Sequence, residues 1–329
     1  MAVRNRTIIR QEQTFAAADA AITDNLPVNP IAFIDIILRG LNNATNARPS
    51  LTNILSVLSN IEVLFKGSSI ISISPRDLFA LQGVMGWNRA PVQPITFVDN
   101  DVWRVMFRLS FSRRPFWVNE GFPASRAGEL QIRYTPAATF TGVDTPSLEV
   151  ETEEILDAQF SRFLKYTTLT RTPAATGESD VDLPIGNPYS GILLFGTTVP
   201  TGGGVTASMR EVRMLIDNQE AFVPRTRWDA LHQQYLHLAG LHGWIIQHTH
   251  LENTATAYSQ NAVTLAMASD VSGDNLYGFL DFDPLRDGAY LLPTEGRSSV
   301  RLRINADAAD VQRIIPIELI SVAGAPTGA

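Results

Sequence analysis

The chain has 329 residues, 45% of them hydrophobic and 18% charged, with a net charge of -7. The length suits two well-packed domains, and the acidic balance excludes a protein that coats nucleic acid with a basic face. With no cysteine in the chain, disulfides and thiolate chemistry are excluded as well.

Period-two alternation punctuated by turn residues predicts β structure along most of the chain. Residues 1–6 lack the apolar core of a secretion signal, and no window approaches the roughly 18 apolar residues of a membrane span. The product is therefore expected to be soluble and kept in the cytoplasm until it assembles. Thr7–Gln11 reads as a first strand. Leu26-Pro27-Val28-Asn29-Pro30 then leads into the apolar run Ile31–Leu38, followed by a Gly, Asn and Thr-rich loop at Gly40–Ser50. Ile61–Phe65 is a strand ending in the turn Lys66-Gly67, and Pro75–Gln82 is a short helix. Val102–Phe111 alternates cleanly: Trp103, Val105, Phe107, Leu109 and Phe111 share one face. Leu130–Tyr134 and Leu148–Val150 are further strands. Glu151–Tyr166 places its acids early and Arg162 and Lys165 late, an order that suits a helix dipole and predicts a helix between the two halves.

After this segment the pattern starts again. Leu183-Pro184-Ile185-Gly186-Asn187-Pro188 leads into apolar Gly191–Phe195, and a loop follows at Gly196–Ser208. Val212–Ile216 is a strand with the turn Asp217-Asn218, and Arg227–Leu238 is a helix. Tyr277–Phe282, Val300–Ile304 and Ile317–Leu319 are strands, and 322–329 reads as a small-residue tail. A Pro-Arg pair with an Ala-Leu behind it occurs in both halves, at Pro75-Arg76 with Ala80-Leu81 and at Pro224-Arg225 with Ala230-Leu231. Landmarks in one order, offset by roughly 150 to 170 residues, mark a duplicated fold. We expect a first domain at 1–155 and a second at 156–329. Each half holds about eight short strands, which antiparallel packing closes into an eight-stranded jelly roll. A seven-stranded immunoglobulin-like sandwich fits less well, because the halves exceed its roughly 100 residues and lack its Cys and Trp core.

Two tandem jelly rolls, each with a helix behind its Pro-Arg passage, resemble the double jelly-roll major capsid proteins of tailless icosahedral viruses. The lineage includes the adenovirus hexon. The residues that carry the likeness are Glu211–Asn218 with Trp228-Asp229-Ala230-Leu231, and the passage Gly278–Gly288. The short loops point to a compact member of the bacterial or archaeal virus type. The resemblance implies an all-β virion coat protein, not an enzyme and without cofactor, made in the host cytoplasm. It further implies a homotrimer with a pseudo-hexagonal outline that tiles a capsid lattice, with minor capsid or vertex proteins as further partners and no small-molecule substrate. The alternative reading is a carbohydrate-active or carbohydrate-binding double β-sandwich.

All five histidines fall at His232, His237, His242, His248 and His250. His248-Thr249-His250 with Glu252 has the ligand types of a metal-binding cupin, but no later histidine completes the set, so no metal site is expected. Gly202-Gly203-Gly204 lacks the lysine of a phosphate loop. Asp281 and Asp283 could pair as glycosidase carboxylates, although turn aspartates explain them as well. Arg4, Arg6 and Arg10 read as a basic, inward-facing arm. It would make weak contact with a genome or an internal membrane, or else be a solvated tail. Nearly all other basic residues are arginine too, Lys66 and Lys165 being the lysines, and arginine suits bidentate pairing with carboxylates.

Overall fold

The computed structural model describes residues 3–43, 49–87, 99–198, 206–239 and 276–322. The chain forms two compact units, Met1–Thr167 with Ser321–Ala329, and Thr168–Ile320.

In the first unit the chain runs through β1 (Val3–Thr14), β2 (Ile22–Asn25), β3 (Ile31–Asn42), α1 (Leu51–Leu55), β4 (Leu58–Phe65), β5 (Ser68–Ile73), α2 (Pro75–Met85), β6 (Val102–Ser110), β7 (Leu130–Pro136), β8 (Val143–Leu156) and β9 (Arg162–Thr167). One sheet has the order β1-β8-β3-β6, the other β2-β7-β4-β5 with β9 added in parallel to β5. The orders first-eighth-third-sixth and second-seventh-fourth-fifth are those of a jelly roll. Inward side chains of both sheets make the core: Ile34, Ile36 and Leu38 of β3, Trp103, Val105 and Phe107 of β6, Ile61 and Val63 of β4, all fully buried. Each such side chain contributes about 1.5–3 kcal/mol by leaving water.

The second unit repeats the order with β10 (Leu169–Arg171), β11 (Gly177–Asp182), β12 (Tyr189–Gly196), β13 (Glu211–Ile216), β14 (Gln219–Glu220), β15 (Thr226–Arg227), α3 (Trp228–Leu238), β16 (Tyr277–Asp281), β17 (Val300–Ala306) and β18 (Gln312–Ser321). Its sheets run β10-β18-β12-β16 and β11-β17-β13-β14, with the short β15 beside β13. Counted within the unit, without β15, these are again first-eighth-third-sixth and second-seventh-fourth-fifth. Ile192, Leu194, Met214, Trp228, Leu302 and Ile304 fill its core. Strands β4 and β13 thus hold the same place, as the repeated landmarks Ile61–Phe65 and Val212–Ile216 predict. Both end in a two-residue turn with two left-handed residues, Lys66 (φ 51) and Gly67 (φ 81) in one, Asp217 (φ 51) and Asn218 (φ 65) in the other. That turn matches the twist of a hairpin.

Two expectations are corrected. Glu151–Tyr166 is not a helix: it holds the end of β8, a turn at Asp157 (φ 65) and β9. The alternation Glu149, Glu151, Glu153 places these acids on one face of a strand, where arginines of β1 and β3 answer them. Gly40 opens no loop but lies inside β3, because a Cβ there would come 2.4 Å from the Trp103 ring. A glycine admits that close approach. Among the described residues, no helix is long and apolar enough to cross a membrane.

Candidate functional site

The three N-terminal arginines do not form a free arm. They lie on β1, antiparallel to β8, and each meets a carboxylate of its own unit. Arg4 Nε donates to Glu153 Oε1 at 2.5 Å. Arg6 pairs with Glu151 and approaches Asp35 at 3.6 Å. Arg10 forks onto Asp24 of β2, Nε donating to Oδ2 at 2.7 Å, and this bond raises the Arg10 pKa above its ordinary value. Asp35 also takes a bidentate bond from Arg108 at 2.8 and 2.9 Å, and Arg39 joins Glu149 to Glu12. The outward face of the β1-β8-β3-β6 sheet therefore carries a ladder of ion pairs.

The second unit carries its own ladder on β11-β17-β13. Asp180 pairs bidentately with Arg303, Asp182 with Arg301, and Arg213 with Glu178. The Arg303 hydrogen bond holds the Asp180 carboxyl below the usual carboxylate range. These ladders account for the alternating arginines Arg301 and Arg303. They also explain β11, a polar strand that shows no apolar alternation and takes its place from cross-strand charges.

Of the histidines, His232 and His237 lie in α3, and His242, His248 and His250 lie outside the described residues, as do Glu252 and Gly202–Gly204. His232 has a structural task. Its Nδ1 is 2.8 Å from the carbonyl oxygen of Tyr277, which can only accept, so Nδ1 carries the proton. Tyr277 starts β16, the edge strand of its sheet. In the first unit, Gln82 of α2 does the matching job: its Oε1 accepts from the Arg108 N–H of edge strand β6 at 2.8 Å. In each unit, then, the helix after the fifth strand covers the sixth and satisfies its open edge. His237 sits in the last turn of α3, where a basic residue suits the helix dipole.

Asp281 and Asp283 form a turn knot. Arg286 Nη1 donates to Asp281 Oδ1 at 2.5 Å and to the Asp283 carbonyl at 2.6 Å, while Asp283 Oδ1 accepts from Gly288 N at 2.9 Å. A groove of about 670 Å³ in this unit is lined by Phe222, Pro224, Leu231, Gln234, Asp281 and Tyr290 among others. Among the described residues Asp281 is the single carboxylate in that lining, so these residues do not form the two-carboxylate arrangement of a glycosidase there.

The sequence reading missed the connection from β6 to β7. There Arg113 and Glu120 form an ion pair with both side chains 2% exposed. Arg113 Nε donates to Oε1 at 2.9 Å and its backbone N–H donates to Oε2 at 3.0 Å. The pair closes a loop that carries Arg114, Pro115, Phe116, Trp117, Val118 and Asn119 at the surface. Only the closed loop brings these two charges together.

No family model matches the sequence, and no curated protein matches it. Solved structures do. The crystal structure of the STIV MCP superposes with a TM-score of 0.68 at 13% identity, over 97% of each chain. The major capsid protein P2 from bacteriophage PM2 gives 0.59 at 13% identity, over 99% of this chain and all of that one. The fold is that of the double jelly-roll capsid proteins. The PBCV-1 virus capsid structure agrees, with a TM-score of 0.60 at 11% identity over 97% of this chain and 94% of that one. At such identities the likeness lies in the double jelly roll itself, since few side chains are shared.

Proposed function

We propose that this double jelly-roll chain is the major capsid protein of a tailless icosahedral virus and acts as a homotrimer that tiles the shell. The observation that carries the reading is the jelly-roll strand order occurring twice, end to end with coat proteins that are themselves covered by 94% or more. As repeats, the rolls divide into 1–155 and 156–329, at the close of the eighth strand. Three chains of two similar rolls give a ring of six similar walls, the pseudo-hexagonal outline that packs a surface with nearly equivalent contacts. Function then resides in lateral faces and ends, and the virion capsid is where the protein works.

Native mass measurement with negative-stain microscopy tests this reading. We expect trimers with a hexagonal outline, and sheets or shells at high concentration. A persistent monomer that forms no particles would refute it. Glycan binding by such a monomer would favour the carbohydrate alternative.

A further inference from the structure

Antiparallel strands send alternate connections to opposite ends of the first unit. One end gathers the start of β1, the connections β2–β3, β4–β5 and β6–β7, and the turn after β8. Backbone bonds stitch them together: Ser125 N–H to the Val28 carbonyl at 2.9 Å, Lys66 N–H to the Glu129 carbonyl at 2.7 Å, and Gly121 N–H to the Arg162 carbonyl at 3.0 Å.

Two independent properties concentrate there. The first is exposed apolar surface. Among the described residues of this unit, the exposed large apolar side chains are Val3, Ile8, Val28, Val102, Phe116 and Val118. Four of them, Val3, Val28, Phe116 and Val118, lie at this end, and Val118 is 81% exposed. Half-buried Trp117 stands between Phe116 and Val118. The second property is charge. The Arg113–Glu120 and Arg4–Glu153 pairs are internally neutral. Beyond them, this end carries Lys66, Arg114, Arg126 and Arg162 against Glu129, Glu154 and Asp157, with Lys66 3.6 Å from Glu129. The opposite end is acidic among the described residues, with Asp19, Asp77, Asp99 and Asp101 against Arg76. A basic end is thus set on a chain of net charge -7.

Guanidinium groups also stand over the aromatic rings, Arg4 over Phe116 at 4.3 Å and Arg114 over Trp117 at 4.9 Å. Aromatic and aliphatic tips ringed by cations suit the boundary between lipid headgroups and acyl chains. Nucleic acid would use the cations but has no use for exposed valines. The second unit shows Ile185, Leu285 and Tyr290 exposed at its matching end. Its connections there are acidic, Asp217, Asp283, Asp287 and Glu295 against Arg286 and Arg297, so the inference concerns the first unit.

We propose that this end of the first jelly roll docks on an anionic lipid surface, with Phe116, Trp117 and Val118 entering the headgroup layer and Lys66, Arg114, Arg126 and Arg162 facing the lipid charges. The claim goes beyond shell formation and needs only the unassembled chain, so it stands or falls apart from assembly.

Co-sedimentation with vesicles of phosphatidylcholine alone, and of phosphatidylcholine mixed with phosphatidylserine, is the test, with duplex DNA as a separate probe. We expect binding to the mixed vesicles that weakens as salt rises. Arg114→Gln and Arg126→Gln should each weaken it about fivefold, and Phe116→Ser with Val118→Ser about tenfold or more. The vesicle-induced blue shift in tryptophan emission should vanish in Trp117→Phe. Equal binding to both vesicle types, no binding, or binding untouched by the Phe116 and Val118 changes would overturn the proposal. DNA binding without vesicle binding would overturn it in favour of a genome contact. If the serine variant melts early, Arg126→Gln, which changes an exposed side chain, still decides.

Discussion

The Arg113–Glu120 pair offers the sharpest test of how the β6–β7 loop is held. In Glu120→Gln the side chain keeps its shape but turns one acceptor into an amide NH2. That donor then faces the Arg113 guanidinium or its backbone N–H, both of which need acceptors. With both partners 2% exposed, water cannot take over, and a buried arginine without its counter-charge costs about 3–5 kcal/mol. For a unit of this size each kcal/mol lowers the melting point by about 2–4 °C, so a drop of between about 6 and 20 °C is expected. Replacing both members, Arg113→Met with Glu120→Leu, removes the stranded charge and should recover most of the loss. Calorimetry at one fixed protein concentration reads all three, since self-association also shifts melting. A Glu120→Gln protein melting within about 1 °C of the parent would show that the loop closes without the pair.

Three further outcomes follow from the same physics. Gln82→Leu and His232→Leu each strip a cap from an edge strand and should cost about 1–3 kcal/mol; hydrogen exchange at the Arg108 amide should accelerate in the first, and unchanged exchange would discount the cap. Gly40→Ala and Gly191→Ala drive a Cβ to 2.4 Å from Trp103 and 2.6 Å from Phe279, an overpacking worth about 1–3 kcal/mol by urea denaturation; a neutral result would mean that the rings have room to move. Asp180, Glu211 and Asp217 have folded-state pKa values lowered by hydrogen bonds, from Arg303, from Arg225 and from the Ser298 hydroxyl respectively. A lowered pKa contributes stability above the unfolded value, near 4, that is lost as pH falls below it. Melting points should therefore decline below about pH 4, and Asp180→Asn with Glu211→Gln should flatten that decline. An unaltered acid limb in the double variant would count against these bonds.

Much of the architecture is written locally. The Ser74-Pro75 start with Asp77, and Gly86 beyond the end, bound α2 through its own cap: Ser74 Oγ accepts from Asp77 N at 3.1 Å, and Gly86 takes φ 69. The turns Lys66-Gly67 and Asp217-Asn218 specify their hairpins through left-handed backbone. Alternation in Val102–Phe111 announces which face is buried, and Trp103, Phe107 and Phe111 are indeed fully buried. Because these signals depend on neighbours a few residues away, the duplication was legible without coordinates. Other features depend on partners far along the chain. Glu151 and Glu153 read as the start of a helix until Arg6 and Arg4 meet them across 145 and 149 residues. The polar strands β2 and β11 have no apolar rhythm and exist because β7 and β17 pair with them. Gly40 looks like a loop residue, yet it serves the Trp103 ring. The arginines expected in a free arm are bound because the sheet brings carboxylates within reach of each. Periodicity and turn chemistry are local and lie in the sequence; charge pairing and close approach are long-range, so only the closed jelly rolls decide them.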